Sequence, residues 1–121
     1  MFDFEKLEVY KKAKELNHEI LVFLRDNKLI DSYIRDQLKR ASTSIVINIA
    51  EGSGKFSKAD KSNYYTTSRG SVYECVSLLE LLIDDNGIDQ KIFDHYKSQY
   101  ETISKMLLGL IKSQNNNKPK Y

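Results

Sequence analysis

Two histidines, one cysteine and several closely spaced carboxylates are the residues of this chain that could carry out chemistry. Glu15-x-x-His18 has the i, i+3 spacing of the ligand pairs in di-iron carboxylate bundles. Such a centre needs a second copy of the pair and two more inward glutamates. His95 has Ile92 three positions before it, so the second copy is missing, and His18 lies off the apolar stripe of its own segment. Glu5-x-x-Glu8, half of an acidic pyrophosphohydrolase-like arrangement, has no matching acidic motif later in the chain. Cys75 falls on an apolar stripe and reads as a small buried hydrophobe rather than a nucleophile. No histidine is spaced to activate a serine, and Gly52-Ser-Gly54-Lys55 lacks the rest of a P-loop. The expectation is a non-enzyme with no catalytic site, no cofactor, no metal and no small-molecule substrate.

A second group of polar residues sits among apolar ones. Ser44, Asn48 and Glu51 are spaced by four and three, which makes one narrow stripe on a helix whose other flank carries Val46 and Ile47. A helix apolar on nearly all sides is expected to be covered by more than its own bundle. Buried amides of this kind fix register or oligomeric state, or else Asn48 bonds locally near a helix end. Glu51 opposes the macrodipole at that end, a cost that the start of the next helix would relieve. Further on, Ser68, Gly70 and Ser71 form a small-residue patch flanked by Arg69 and Glu74. Gly70 in mid-helix costs about 1 kcal/mol against alanine, so close approach of another helix is the expected compensation. An ion pair from Glu51 to this patch would have to join two molecules.

The elements that hold these residues follow from periodicity and from the scarcity of breakers. Of 121 residues, 5 are glycine and one is proline, too few turns for an all-β or α/β chain. Asp3 is expected to cap a first helix running to about Asn27, with Phe2 and Leu7 as a hydrophobic staple and Val9, Ala13, Leu16, Ile20 and Phe23 facing inward. Asp31 or Ser32 opens a second helix with Ile34, Leu38, Ala41, Ile45 and Ile49 inward, stopped by the glycines at 52 and 54. Ser57 caps a third, with Tyr65, Ser68, Val72, Cys75, Leu79 and Leu82 inward, ended by Asn86-Gly87. Asp89 caps a fourth, with Ile92, Tyr96, Tyr100, Ile103, Leu107 and Leu110 inward. Short joints between helices of similar length predict an all-α, antiparallel up-down-up-down four-helix bundle over 1–113, with a flexible tail over 114–121. The lone cysteine fits a reducing compartment, and no apolar run reaches the about 20 residues of a bilayer span, so a cytoplasmic protein without a membrane segment is expected.

Net charge is only +2, but its distribution matters more. In such a bundle Lys55, Lys58, Lys61 and Lys112 gather at one end, joined by Lys118 and Lys120 of the tail. Asp26, Asp31, Asp84, Asp85, Asp89 and Asp94 gather at the other. A basic pole with Phe56 and Tyr64 beside it as stacking surfaces is expected to attract phosphate backbones without reading sequence.

Phe4-Glu-Lys-Leu-Glu-Val-Tyr-Lys-Lys-Ala13, Ser44-Ile-Val-Ile-Asn-Ile-Ala-Glu-Gly52, Ser68-Arg-Gly-Ser71 with Glu74, and Ile103-Ser-Lys-Met-Leu-x-Gly-Leu-Ile111 closely resemble the four-helix-bundle family of 23S ribosomal RNA intervening-sequence proteins. The resemblance covers the chain up to the tail. It implies a ring of like subunits, typically five, and a related branch that serves diversity-generating retroelements by binding a reverse transcriptase and nucleic acid. The family's motif positions fall here on Ser44, Asn48, Glu51, Gly52, Arg69, Gly70 and Glu74. Val46-Ile47 replace the family's usual Pro-Ala, and Lys61 replaces a common aromatic. A homo-oligomer, most simply a pentamer, that binds RNA or an RNA-handling protein is therefore expected. The alternative is a structural scaffold with protein partners only.

Overall fold

The computed structural model describes residues 1–115, and these form one up-down-up-down bundle of four helices preceded by a single 3-10 turn. Helix α1 spans Glu8–Asp26, α2 Ser32–Ser53, α3 Lys58–Asp84 and α4 Gln90–Asn115. Each helix packs on its neighbours in sequence, and α1 closes the square against α4. Gln114 and Asn115, expected in the tail, belong to α4. The rest of that tail, with Lys118 and Lys120, lies outside the described residues.

The chain enters the bundle differently from expectation. Asp3 does not cap α1: Asp3–Lys6 is the 3-10 turn, and Leu7 is extended before α1 starts at Glu8. Leu7 turns onto the core, which interrupts the helix. Phe2 remains exposed, so it forms no staple with Leu7; it stacks on Phe4 at 5.6 Å, and Phe4 meets Tyr10 at 4.8 Å.

The other caps follow the residues that favour them. The Asp31 carboxylate accepts from the Ile34 N–H at 3.1 Å and the Ser57 hydroxyl from that of Asp60 at 3.0 Å. Asp89 accepts from the Lys91 N–H at 2.7 Å. At the end of α3, Asn86 takes the left-handed conformation (φ 57°), and the Gly87 N–H reaches the Leu82 carbonyl at 2.8 Å. That is a Schellman closure made on asparagine rather than on glycine.

The predicted stripes of α1 and α3 are buried in full, and so are Leu38, Ala41, Ile45 and Ile49 of α2. In α4 the stripe begins at Phe93 instead of Ile92, which is 39% exposed. Both positions fit the spacing to Tyr96 and Tyr100, and the larger ring takes the interior. Tyr96 then meets Phe23 edge-on at 5.7 Å.

Gly52 lies inside α2 and does not stop it; the helix runs to Ser53 and ends at Gly54. An added Cβ at Gly52 would stand 2.9 Å from Tyr64 Cβ and 2.9 Å from Tyr65 Cε1, so this glycine lets α3 come close. Gly70 has the opposite surroundings. A Cβ there would meet nothing within 4 Å among the described residues. The expected compensation is therefore not made within the subunit.

Two stability predictions follow from this packing. Gly52→Ala is expected to destabilise the bundle by about 1–3 kcal/mol through overpacking, whereas Gly70→Ala stabilises it by up to about 1 kcal/mol. Urea unfolding of both variants checks the pair, and equal effects would contradict the geometry. The second prediction concerns alkali. Burial pushes the Cys75 thiol from its ordinary 9.0 up to about 12 and raises Tyr65, Tyr96 and Tyr100 as well. Above the unfolded thiol's value the unfolded chain binds fewer protons than the folded one. Stability is thus intact below about pH 9 and falls as pH rises toward the folded value. Cys75→Ala should make this fall shallower in unfolding measurements between pH 8 and about 11. An unchanged slope would overturn the assignment.

Candidate functional site

The seam between α2 and α3 is built from small polar residues. The Ser68 hydroxyl donates to the Ile45 carbonyl at 2.8 Å in the buried interior. Beside it, Ser71 Oγ and Ser44 Oγ lie 3.0 Å apart, and Asn48 Nδ2 donates to both the carbonyl and the hydroxyl of Ser44 at 2.9 Å. Asn48 therefore bonds locally, one of the two expectations for it, and through Ser44 it is tied to α3. Such bonds fix the register of the two helices.

Outward from this seam, Arg40 Nη2 reaches Glu74 Oε2 at 2.8 Å and the Gln37 side chain at 2.7 Å. Glu74 thus has an intrachain partner. The sequence reading missed Arg40, although a signal was present: Arg40 stands four residues before Ser44, and Glu74 three after Ser71, which antiparallel helices bring opposite each other. Arg69 turns the other way, toward α4, where Nε donates to the Ser104 carbonyl at 3.4 Å and Nη2 to the Tyr73 hydroxyl at 3.1 Å. Glu51 is exposed and forms no ion pair among the described residues, so Glu51, Arg69 and Glu74 form no common cluster.

Val46 and Ile47, read as one outer flank, are divided. Val46 is buried in the core, while Ile47 is 49% exposed. Ile47 lies with Thr43, Ser44 and Asn48 on an open face of α2 whose upper part carries Asp36, Lys39 and Arg40.

The end expected to be basic is mixed in sign. Lys58 and Lys112 are exposed and Phe56 stands fully in solvent. Lys61 is committed: its ammonium donates to the Ser53 carbonyl at 2.8 Å and closes the C-terminus of α2, the task this position performs without the family's aromatic. Lys55 lies 4.9 Å over the Tyr64 ring, so neither group is free. Asp3, Glu5, Glu8, Glu51 and Asp60 share that end with Lys6 and with Lys11, which pairs with Glu8, so the charge there is mixed. The opposite end keeps its aspartates, two of them spent as caps.

Glu15 and His18 lie exposed on α1, and His95 Nε2 meets Glu19 Oε1 at 3.3 Å across α1 and α4. Among the described residues no three His, Cys, Asp or Glu side chains come together in a metal-binding group. Cys75 faces the Tyr100 hydroxyl in the interior, where burial holds both neutral. No helix among the described residues is long and apolar enough to cross a membrane.

No curated protein matches the chain. Among solved structures, a protein of unknown function from the S23 ribosomal protein family of Bacteroides thetaiotaomicron is similar at 27% identity with a TM-score of 0.82. The similarity covers 86% of this chain and 98% of that one. The sequence model described as 23S rRNA-intervening sequence protein matches residues 5–109, and the chain belongs to that family.

Proposed function

We propose that the protein is a non-enzymatic homo-oligomer, assembled through the outer face of α2, that binds RNA. The observation that carries the reading is Ile47, a large aliphatic residue 49% exposed among Thr43, Ser44 and Asn48. An apolar centre ringed by small polar residues and by the Arg40–Glu74 pair has the anatomy of an interface core and its rim. Five-fold closure is carried over from the family resemblance. The interior supports the non-enzymatic part, because Ser68 is spent on helix register and burial holds Cys75 and Tyr100 neutral.

RNA as the ligand rests on the family and on unspent cations: Lys58 and Lys112 are exposed, and Phe56 at the same end offers a ring. A second reading, a scaffold with protein partners only, is favoured by the acids Glu51 and Asp60 at the same end.

Sedimentation velocity at tens of micromolar should give one oligomer, and Ile47→Glu should release monomers with an unchanged helical spectrum. A wild-type monomer at that concentration, where a stable interface holds, would overturn the assembly. For the ligand, affinity for a structured RNA should fall with salt and fall further when Lys58 and Lys112 are changed to glutamine. Binding absent at low salt would leave the scaffold reading.

A further inference from the structure

The groove between α3 and α4 combines three cations, an exposed aromatic ring and an apolar floor. It encloses about 430 Å³ above Val72, Val76 and Tyr100. Arg69 and Tyr73 form its α3 wall, Lys97 and Lys105 its α4 wall, and Glu101 is the single acid lining it. Tyr73 is 57% exposed and is not loose: the Arg69 guanidinium lies 5.1 Å from its ring centre and donates to its hydroxyl. Arg69 is itself anchored on the Ser104 carbonyl of α4, so the ring is braced across the seam. A braced, half-open ring flanked by cations is what a stacked base with its phosphates requires.

Spacing separates a strand from a mononucleotide. Lys97 and Lys105 are eight residues apart on α4, about 12 Å along the axis. They cannot clasp one phosphate, but they can follow a chain of them past Tyr73. Lys97 lies 3.5 Å from Glu80 and 5.7 Å over the Phe93 ring, contacts long enough to yield to a phosphate, and Lys105 forms no ion pair among the described residues. Lys112, seven residues further on the same side of α4, continues the track toward the exposed Phe56 end.

We infer that the α3–α4 groove binds a single-stranded RNA segment, with a base stacked on the face of Tyr73 that Arg69 leaves open and successive phosphates on Lys97 and Lys105. The inference rests on the RNA-binding reading above but places the contact along the side of the bundle instead of at its end. This site is independent of the α2 face that carries assembly.

Fluorescence anisotropy of a short labelled oligouridylate with the full chain tests it, because that strand has no structure to read. Tyr73→Ala should weaken binding about tenfold, and Tyr73→Phe should restore it. Lys105→Gln should lower the salt slope by about 0.7. Both positions lie at the surface, and unchanged helical spectra and sedimentation certify each of the three variants. If wild type binds no oligonucleotide, this inference and the RNA reading both fail. If wild type binds and the groove variants bind equally, the groove is overturned while the RNA reading stands on the end lysines. A groove variant that falls apart into monomers would make a second copy the occupant and overturn the proposal. Displacement by poly-glutamate at equal charge would reduce the groove to a general anion trough, which overturns it too.

Discussion

The close approach of α3 to α2 is the constraint on which the rest of the molecule depends. It needs a residue without a side chain at Gly52, since a Cβ there would press on Tyr64 and Tyr65. It also needs a small donor at Ser68, whose hydroxyl is satisfied by the Ile45 carbonyl in the core. A larger residue at either place would push the helices apart, and an apolar one at 68 would lose the bond that fixes their register. Because α3 also packs along α4, the position of α3 sets both the outer α2 face and the α3–α4 groove. On one side it brings Ser71 and Glu74 to Ser44 and Arg40; on the other it presents Arg69 and Tyr73 to Ser104.

The helices and their inward faces were legible in the sequence because one rule governs them. Apolar residues recur at three and four, and caps stand where Asp31, Ser57 and Asp89 stand. The misplacements share a different cause. Asp3, Gly52 and Ile92 each satisfied a local rule, and a tertiary contact decided otherwise: Leu7 turning inward, Tyr65 crossing over the glycine, Phe93 filling the core. Glycine illustrates the point best. Two glycines a residue apart look like a stop, yet the first is a packing device inside the helix and only the second ends it.

The candidate sites were less legible, since composition does not reveal which charges are already spent. Lys61 reads as a free cation and serves as the cap of α2; Lys55 rests on Tyr64; Glu74 is neutralised by Arg40. Six aspartates at the far end read as an acidic pole, although Asp31 and Asp89 are helix caps. The groove escaped notice for a related reason. Arg69 belonged to a motif, but Tyr73, Lys97 and Lys105 are ordinary surface residues on two helices, and only the pairing of α3 with α4 makes them neighbours.

A bundle with so few free cations per subunit does not bind a strand tightly alone. Each ionic contact with a single strand releases less than one counterion, and each stacked base adds about 1–3 kcal/mol. Repetition changes that balance. Subunits joined in a closed ring would present the same groove several times, and a strand held at one groove meets the next at high effective concentration. Assembly through α2 and binding between α3 and α4 would then be two halves of one arrangement. The first would fix how far apart the grooves stand, and the second would supply contacts that add from one subunit to the next. A four-helix bundle can divide these tasks because its outer faces are set by one core but do not share residues.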